Sequence, residues 1–311
     1  MLKIAVSVNP NKDKNLKNTI ALLDILKNYN VRVFLSDSLN KSYGGYPALS
    51  GRLLSAHSVE YCPEHMLYRK ANVCIVFGGD GTIIKIAKKA APFGTYILGI
   101  NLGRVGYLAE LEISELELLK PLLNLSGPEK IETCSEITVD SRMMLKAEII
   151  HANRVIFSAN SINDIVISKG AVSRMAGLEL KSDGKTISSY RADGIVISTP
   201  TGSTAYCMSA GGPIIDPKLE CICAIPVCPY MCVNPGAIVF SNTSEIEVAF
   251  HADKINEAFC TVDGVGAKPI SDGDTVKITK SPYYTKLIRL KDIDFYSLLY
   301  RKMGISGNQN V

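Results

Sequence analysis

The sequence lacks most of the marks of a specialised class. No apolar run reaches the roughly 18 residues that a bilayer span requires, so no membrane association is expected. There is no long basic run of the kind that grips nucleic acid, and a formal charge of +4 with pI near 8.5 suits a small anion better than a polyanionic backbone. The opening MLKIAVSVNPNKDK is an alternating strand that runs into a turn. It has neither a secretory apolar core nor a small-residue cleavage site, and the expected location is cytoplasmic. Internal repeats and low-complexity segments are missing as well.

The familiar catalytic loops are also missing. SDGKT at residues 182 to 186 ends like a Walker A loop, but the glycine that motif needs at its start is Glu179. The dinucleotide fingerprint fails because Gly79-x-Gly81 is followed by Ile84, and no G-x-S-x-G elbow surrounds Ser203 or Ser209. Nine cysteines is an odd count without a small-domain disulfide pattern. Cys62, Cys74, Cys134 and Cys207 are scattered and read as reduced thiols. Cys221, Cys223, Cys228 and Cys232 lie closer together, but C-x-C-x4-C-x3-C lacks the paired C-x2-C knuckles of a zinc site. Their context, ECICAIPVCPYMC, reads as a buried strand, and no metal-ligating set is assigned.

What is present is a globular profile of 47% apolar and 21% charged residues over 311 positions, long enough for two domains. The first part alternates strand and helix: KIAVSV, NTIALLDILKNY, VRVFLSD, ANVCIVF, TIIKIAKKAA and YILGIN. ANVCIVF is a continuous apolar run suited to a strand buried on both faces. In the helix that follows, starting near Gly81 or Thr82, Ile83, Ile84, Ala87 and Ala91 are expected on one face. Repeated βα units predict a parallel sheet.

After the short helix SELELLKPLL the character changes near NLSGPEK. Short β-rich segments follow, among them RMMLKAEII, RVIFSANSINDIVISK, LELKSDGKTIS, GIVISTP, AIVFS, EIEVAF and TVKITK, a pattern that predicts a β-sandwich or related layered domain. The terminal DIDFYSLLYRKMGI is an amphipathic helix expected to fold back onto the first domain. The expected boundaries are 1–127, 128–282 and 283–311.

Three motifs carry the chemistry. In FGGDGT, a glycine-rich turn between a strand and a helix exposes backbone N–H groups at the positive end of the helix dipole. Gly78, Gly79, Gly81 and Thr82 therefore suit a phosphate, although the same run also serves as a tight turn. Asp80 is the odd member. A carboxylate beside phosphates must hold a cation or take a proton. In RADGIVISTPTGSTAYCMSAGGPI, a long uncharged run of glycines and hydroxyls has Tyr206 as its single large ring, a surface that fits a ribose and a heteroaromatic base. In SINDIVISKG, Asn163 and Asp164 interrupt an apolar strand pattern, read either as a bulge or Asx-turn or as a reader of ligand hydroxyls.

Taken in order, GGDGT, the Asn-Asp pair, DGIVISTPTGSTAY and SAGGP resemble the NAD kinase family, and GINLGRVGYLAEL and TVDG extend the likeness over most of the chain. The GGDGT loop alone is shared with diacylglycerol and sphingosine kinases; the STPTGSTAY run separates the two. The resemblance implies an α/β domain with a β-sandwich. It implies transfer of the terminal phosphate of ATP, or of polyphosphate, to the 2′-hydroxyl of the NAD adenosine ribose, with Mg²⁺ on the phosphates and Asp80 as general base. It places Asn163 and Asp164 at the adenosine ribose or the nicotinamide end, and Thr204, Ala205, Tyr206 and Ser209 along the dinucleotide.

By the same resemblance, Asp193 reaches the carboxamide across a subunit contact, with Arg191 and Arg174 nearby, and Cys228 lies near the nucleotide. Homodimers or homotetramers are implied. The sequence departs from the family pattern in PVCPYMCVNP, where Tyr230 replaces a frequent histidine and Asn234 an arginine. Two other readings use the same residues: a lipid kinase with the shared loop, and a dinucleotide sensor without turnover.

Overall fold

The alternating opening segment folds as strand β1 (Leu2–Ser7) in the computed structural model, which describes residues 1–9, 12–42, 59–103, 106–170, 175–230, 236–251, 257–292 and 294–303. Helix α1 (Lys17–Leu26) follows, burying Leu22, Leu23 and Leu26. Its first turn is capped from a distance. The fully buried Asp13 carboxylate accepts the Asn18 and Thr19 N–H groups and the Thr19 hydroxyl, satisfying donors that the helix itself leaves over. Then come β2 (Val31–Ser36), α2 (Asp37–Ser42), β3 (Val59–Cys62), α3 (Glu64–Lys70), β4 (Val73–Phe77), α4 (Asp80–Ala90) and β5 (Tyr96–Asn101). Helix α2, strand β3 and helix α3 are additions to the elements legible in the sequence.

These strands lie in the order β5-β4-β1-β2-β3, every neighbouring pair parallel. All five residues of β4 are buried, as the continuous apolar run requires of a strand covered on both faces. The chain runs outward from β1 to β3 and then returns to the other side of β1 at β4. In open α/β sheets ligands bind at such a reversal, outside the carboxyl ends of the strands. The carboxyl end of β4 is Phe77, and GGDGT follows it directly.

Helix α4 begins at Asp80, ahead of the expected Gly81 or Thr82. Its buried stripe is Ile83, Ile86, Ala87 and Ala90, spaced as 3.6 residues per turn demands, while Ile84 is only half-buried. The segment read as one helix over SELELLKPLL is two pieces, a 3-10 turn over Ile113–Leu119 behind the short strand β6 (Leu111–Glu112), then α5 (Lys120–Leu123). Pro121 has no N–H to carry an unbroken ladder across the join.

Strand β7 (Thr138–His151) leads into a second compact unit, Arg142–Tyr284, which contains β8 (Arg154–Ser161), β9 (Asp164–Lys169), β10 (Ala176–Ser182), β11 (Lys185–Ala192), β12 (Gly194–Ser198) and the short α6 (Tyr206–Ser209). After these come β13 (Cys221–Val227), β14 (Ile238–Ser241), β15 (Ile246–His251), β16 (Ala258–Val262), β17 (Val265–Ile270) and most of β18 (Thr275–Arg289). One antiparallel sheet runs β14-β13-β12-β9-β16-β17, and a second contains β11-β10-β15-β18. Leu178, Leu180, Val248 and Phe250 of the second sheet share one core with Ile165, Ile167, Ile195, Ile197 and Ile222 of the first. This is the expected β-sandwich. Asp183–Gly184 and Asp263–Gly264 join neighbouring strands with φ of 52° and 76°, and of 52° and 67°, the left-handed pair that a two-residue hairpin turn needs.

The residues from Thr285 onward belong to the first unit, where Leu287 pairs in parallel with Ile97 of β5. Helix α7 (Phe295–Lys302) ends the described chain, capped by Asp294, whose carboxylate accepts the Ser297 N–H at 2.9 Å and its hydroxyl at 2.6 Å. The terminal helix thus returns to the first unit as expected.

The eight described cysteines are free thiols, and burial pushes the Cys260 thiol up to about 12. Cys207 and Cys223 lie 3.8 Å apart, sulfur to sulfur, in a small apolar cluster with Val166, Val196 and Ile225. Cys228 is exposed beyond the end of β13, and Cys232 lies outside the described residues. Among the described residues no three His, Cys, Asp or Glu side chains gather as a metal site, and no helix is long and apolar enough to cross a membrane.

Candidate active site

In the first unit the site grows out of the end of β4. Gly78 donates its N–H to Ile100 of the adjacent strand at 2.9 Å, and a Cβ at Gly78 would come within 2.6 Å of the Thr82 side chain. Only glycine lets the turn close that tightly. Thr82 and Ile83 bond to the Gly79 carbonyl, so the N–H groups of Asp80 and Gly81 remain without an intrahelical acceptor. The Lys12 ammonium stands 3.7 Å from where a Gly79 Cβ would be. Glycine amides, a helix start and a lysine thus converge at the sheet's reversal point, which is the environment of a bound phosphate.

The Asp80 carboxylate does not cap its own helix. It accepts the Tyr107 N–H at 2.8 Å and the Leu108 N–H at 3.1 Å, and the Lys302 ammonium lies 3.5 Å from Oδ2. A Cβ at Gly106 would fall 1.8 Å from Oδ1, so the loop reaches the carboxylate only because residue 106 is glycine. The two peptides that hold Asp80 are themselves held. Arg289 donates to the carbonyls of Tyr107 at 3.3 Å and Leu108 at 3.4 Å, and pairs with Glu110 at 3.3 Å and Asp140 at 3.1 Å. Burial pushes the Tyr107 phenol up, with the Asp80 charge adding to it. The result is a fixed, partly exposed carboxylate with lone pairs still available for a hydroxyl proton.

In the second unit two of the sequence motifs interlock. The chain passes from β8, which pairs with β7, to β9 in the other sheet at Ile162–Asn163. The Asp263 carboxylate, at the β16–β17 hairpin, accepts the N–H groups of Ile162, Asn163 and Asp164 and the Ser161 hydroxyl. Onto it packs the STPTGSTAY turn. Thr199 donates its N–H to the Asn163 carbonyl and its hydroxyl to that of Ile162, and a Cβ at Gly202 would fall 2.0 Å from the Asn163 oxygen.

The hydroxyls of this turn are mostly used internally. Ser198, Thr199 and Ser203 are fully buried and bonded within the protein, and Thr204 donates to the Thr201 carbonyl at 3.3 Å. Tyr206, 44% exposed, and exposed Ser209 remain open, with half-buried Ala205 beside them.

The other assigned residues lie elsewhere. Asp193 precedes β12 while the turn follows it, so five residues at about 3.3 Å each put roughly 16 Å between them. Around Asp193 stand Lys169, 3.0 Å from its carboxylate, and Tyr230, whose N–H bonds the Arg191 carbonyl at 2.7 Å. Cys228 follows directly after the Val227 that pairs with Gly194. Arg174 and Asn234 lie outside the described residues. Within one chain, Thr204, Ala205, Tyr206 and Ser209 gather with Asn163 and Asp164, whereas Arg191, Asp193 and Cys228 gather at the opposite end of β12.

Residues 4–124 match the model of the ATP-NAD kinase N-terminal domain, and residues 162–290 that of the ATP-NAD kinase C-terminal domain. An NAD kinase of Moorella thermoacetica is 35% identical over 315 residues, covering 99% of this chain and 91% of its own. One from Caldanaerobacter subterraneus subsp. tengcongensis is 34% identical over 97% of this chain and 99% of its own. The chain belongs to the ATP-NAD kinase family.

Solved structures agree at the level of the fold. The yeast NADH kinase in complex with NADH superposes with a TM-score of 0.84 at 18% identity, covering 100% of this chain and 90% of its own. The Archaeoglobus fulgidus NAD kinase in complex with ATP gives 0.66 at 24%, covering 99% and 100%. Besides Lys12, four elements of the site in this ATP-NAD kinase family member escape the motif reading. Gly106 and Asp263 fall in GRVG and TVDG, which are legible as similarity but not as partners of Asp80 and Asn163. Arg289 and Lys302 carry no local signal beyond an amphipathic end.

Proposed function

We propose that the protein transfers the terminal phosphate of ATP to the 2′-hydroxyl of the adenosine ribose of NAD, giving NADP and ADP. The observation that carries this is the Asp80 carboxylate, fixed by two backbone N–H groups at the sheet's reversal point beside free helix-start amides. Asp80 takes the hydroxyl proton. The hydroxyl oxygen forms its bond to the γ-phosphorus, the bond from that phosphorus to the bridging oxygen breaks, and ADP leaves with the electron pair. The proton then passes to solvent.

Gly78, Gly79, Gly81, Thr82 and Lys12 bind phosphate oxygens in this reading. The divalent cation arrives with the nucleotide as its Mg²⁺ complex, because Mg²⁺ is commonly bound through substrate phosphates and water. Polyphosphate would meet the same amides as a donor. Residues 1–127 and 283–311 serve phosphoryl transfer, and 128–282 serve NAD. Asn163 and Asp164 meet the ribose or the nicotinamide end, Thr204, Ala205 and Ser209 line the dinucleotide, and the Tyr206 ring stacks on it. Arg174, Arg191, Asp193 and Cys228 serve the dinucleotide of a second subunit, in a cytoplasmic homodimer or homotetramer.

Asp80→Asn keeps the side-chain shape and removes the base. The expected outcome is a loss of kcat of about 10²- to 10⁴-fold with NAD affinity retained, measured by NADP formation and calorimetry. Unchanged turnover would remove Asp80 from the role of base.

A further inference from the structure

We propose that Lys302 is a catalytic residue, the cation that holds the phosphoryl group as it passes from ATP to the acceptor hydroxyl. The inference rests on the NAD phosphorylation proposed above. Lys302 is the last residue of α7, far from GGDGT in sequence, yet its ammonium lies 3.5 Å from Asp80 Oδ2. It is seated as well as near. The same nitrogen stands 3.8 Å from the centroid of the Tyr107 ring, a cation–π contact, and Tyr107 is the residue whose N–H bonds Asp80 Oδ2. Phe295, at the start of α7, packs its ring 6.3 Å from that of Tyr107. Tyr107 therefore joins the carboxylate, the ammonium and the helix that carries it.

An acceptor hydroxyl bonded to Asp80 sits about 2.7 Å from the carboxylate oxygen, and the phosphorus it attacks about 3 to 3.5 Å further on. Phosphoryl oxygens at that distance are within reach of an ammonium 3.5 Å from the same carboxylate oxygen. Lysine has three N–H donors, and the carboxylate and the ring face engage two directions. The third is available to an oxyanion. Charge placed where a phosphoryl group transfers acts on turnover more than on substrate affinity. A plain surface ion pair would instead contribute about 0 to 1 kcal/mol to stability and nothing to turnover.

The test is steady-state NADP formation by the full-length protein and by Lys302→Met, Lys302→Arg and Tyr107→Leu, each first checked for an unchanged thermal midpoint. Lys302→Met is expected to lose about 10²-fold in kcat while KM for NAD stays within about twofold, and Lys302→Arg to recover most of the loss. Tyr107→Leu keeps its backbone N–H but removes the seat. It is expected to lower kcat as well, and to add little to Lys302→Met in the double variant. Wild-type kcat in Lys302→Met, or a change in KM for NAD alone, overturns the assignment. No NADP from the wild-type protein would overturn the reading beneath it instead, so the two failures are told apart.

Discussion

Gly106 shows how little room the proposed base has. A single methyl there would lie 1.8 Å from Asp80 Oδ1, so either the carboxylate or the loop must move. The loop is anchored by Arg289 through the Tyr107 and Leu108 carbonyls, and the carboxylate is the freer partner. Gly106→Ala is therefore expected to displace Asp80 and cost about 10²-fold in kcat, the usual scale for a misplacement of about 1 Å. Circular dichroism should find the fold intact. Turnover close to wild type would mean that the position of Asp80 is not critical. Asp80 itself is legible in the sequence, because a carboxylate inside a glycine-rich turn is chemically conspicuous. Gly106 and Lys302 are not, because what makes them matter is a distance across the fold.

At the scale of elements, most strands and the longer helices follow from periodicity: the apolar VCIVF for β4, the alternating EIEVAF for β15, the amphipathic end for α7. The failures share a cause. RVIFSANSINDIVISK reads as one β segment, but the chain changes sheets at Ile162–Asn163, and nothing local reveals it because the restraint comes from Asp263, about a hundred residues later. At α4 the Asp80 carboxylate likewise takes its donors from Tyr107 and Leu108, not from its own first turn.

Four donors on one carboxylate, each hydrogen bond to a charged acceptor contributing about 1.5 to 3 kcal/mol, make Asp263 the pin of this bend. Asp263→Ala is expected to destabilise the protein by at least about 3 kcal/mol. Urea unfolding would show it, and an unmoved midpoint would contradict the role.

On the scale of the molecule, the sequence motifs divide by chemistry as the chain divides by structure. GGDGT sits in the unit formed by Met1–Ser141 and Thr285–Val311, and the Asn-Asp pair and STPTGSTAY in Arg142–Tyr284. The chain leaves the first unit, builds a sandwich, and comes back with β18 and α7. That return brings Arg289 to the Tyr107–Leu108 carbonyls and Lys302 to the Asp80 carboxylate of GGDGT. A glycine-rich loop alone leaves the acceptor open, since lipid kinases resemble it; the family relation and the interlocked turns of the sandwich favour a dinucleotide.

The measurement that bears most directly on this is product formation from NAD and Mg²⁺–ATP, read with an NADP-specific dehydrogenase, with diacylglycerol offered in a parallel reaction. NADP with no phosphatidate is the expected result. Phosphatidate without NADP, or NAD binding with no product at all, would contradict it.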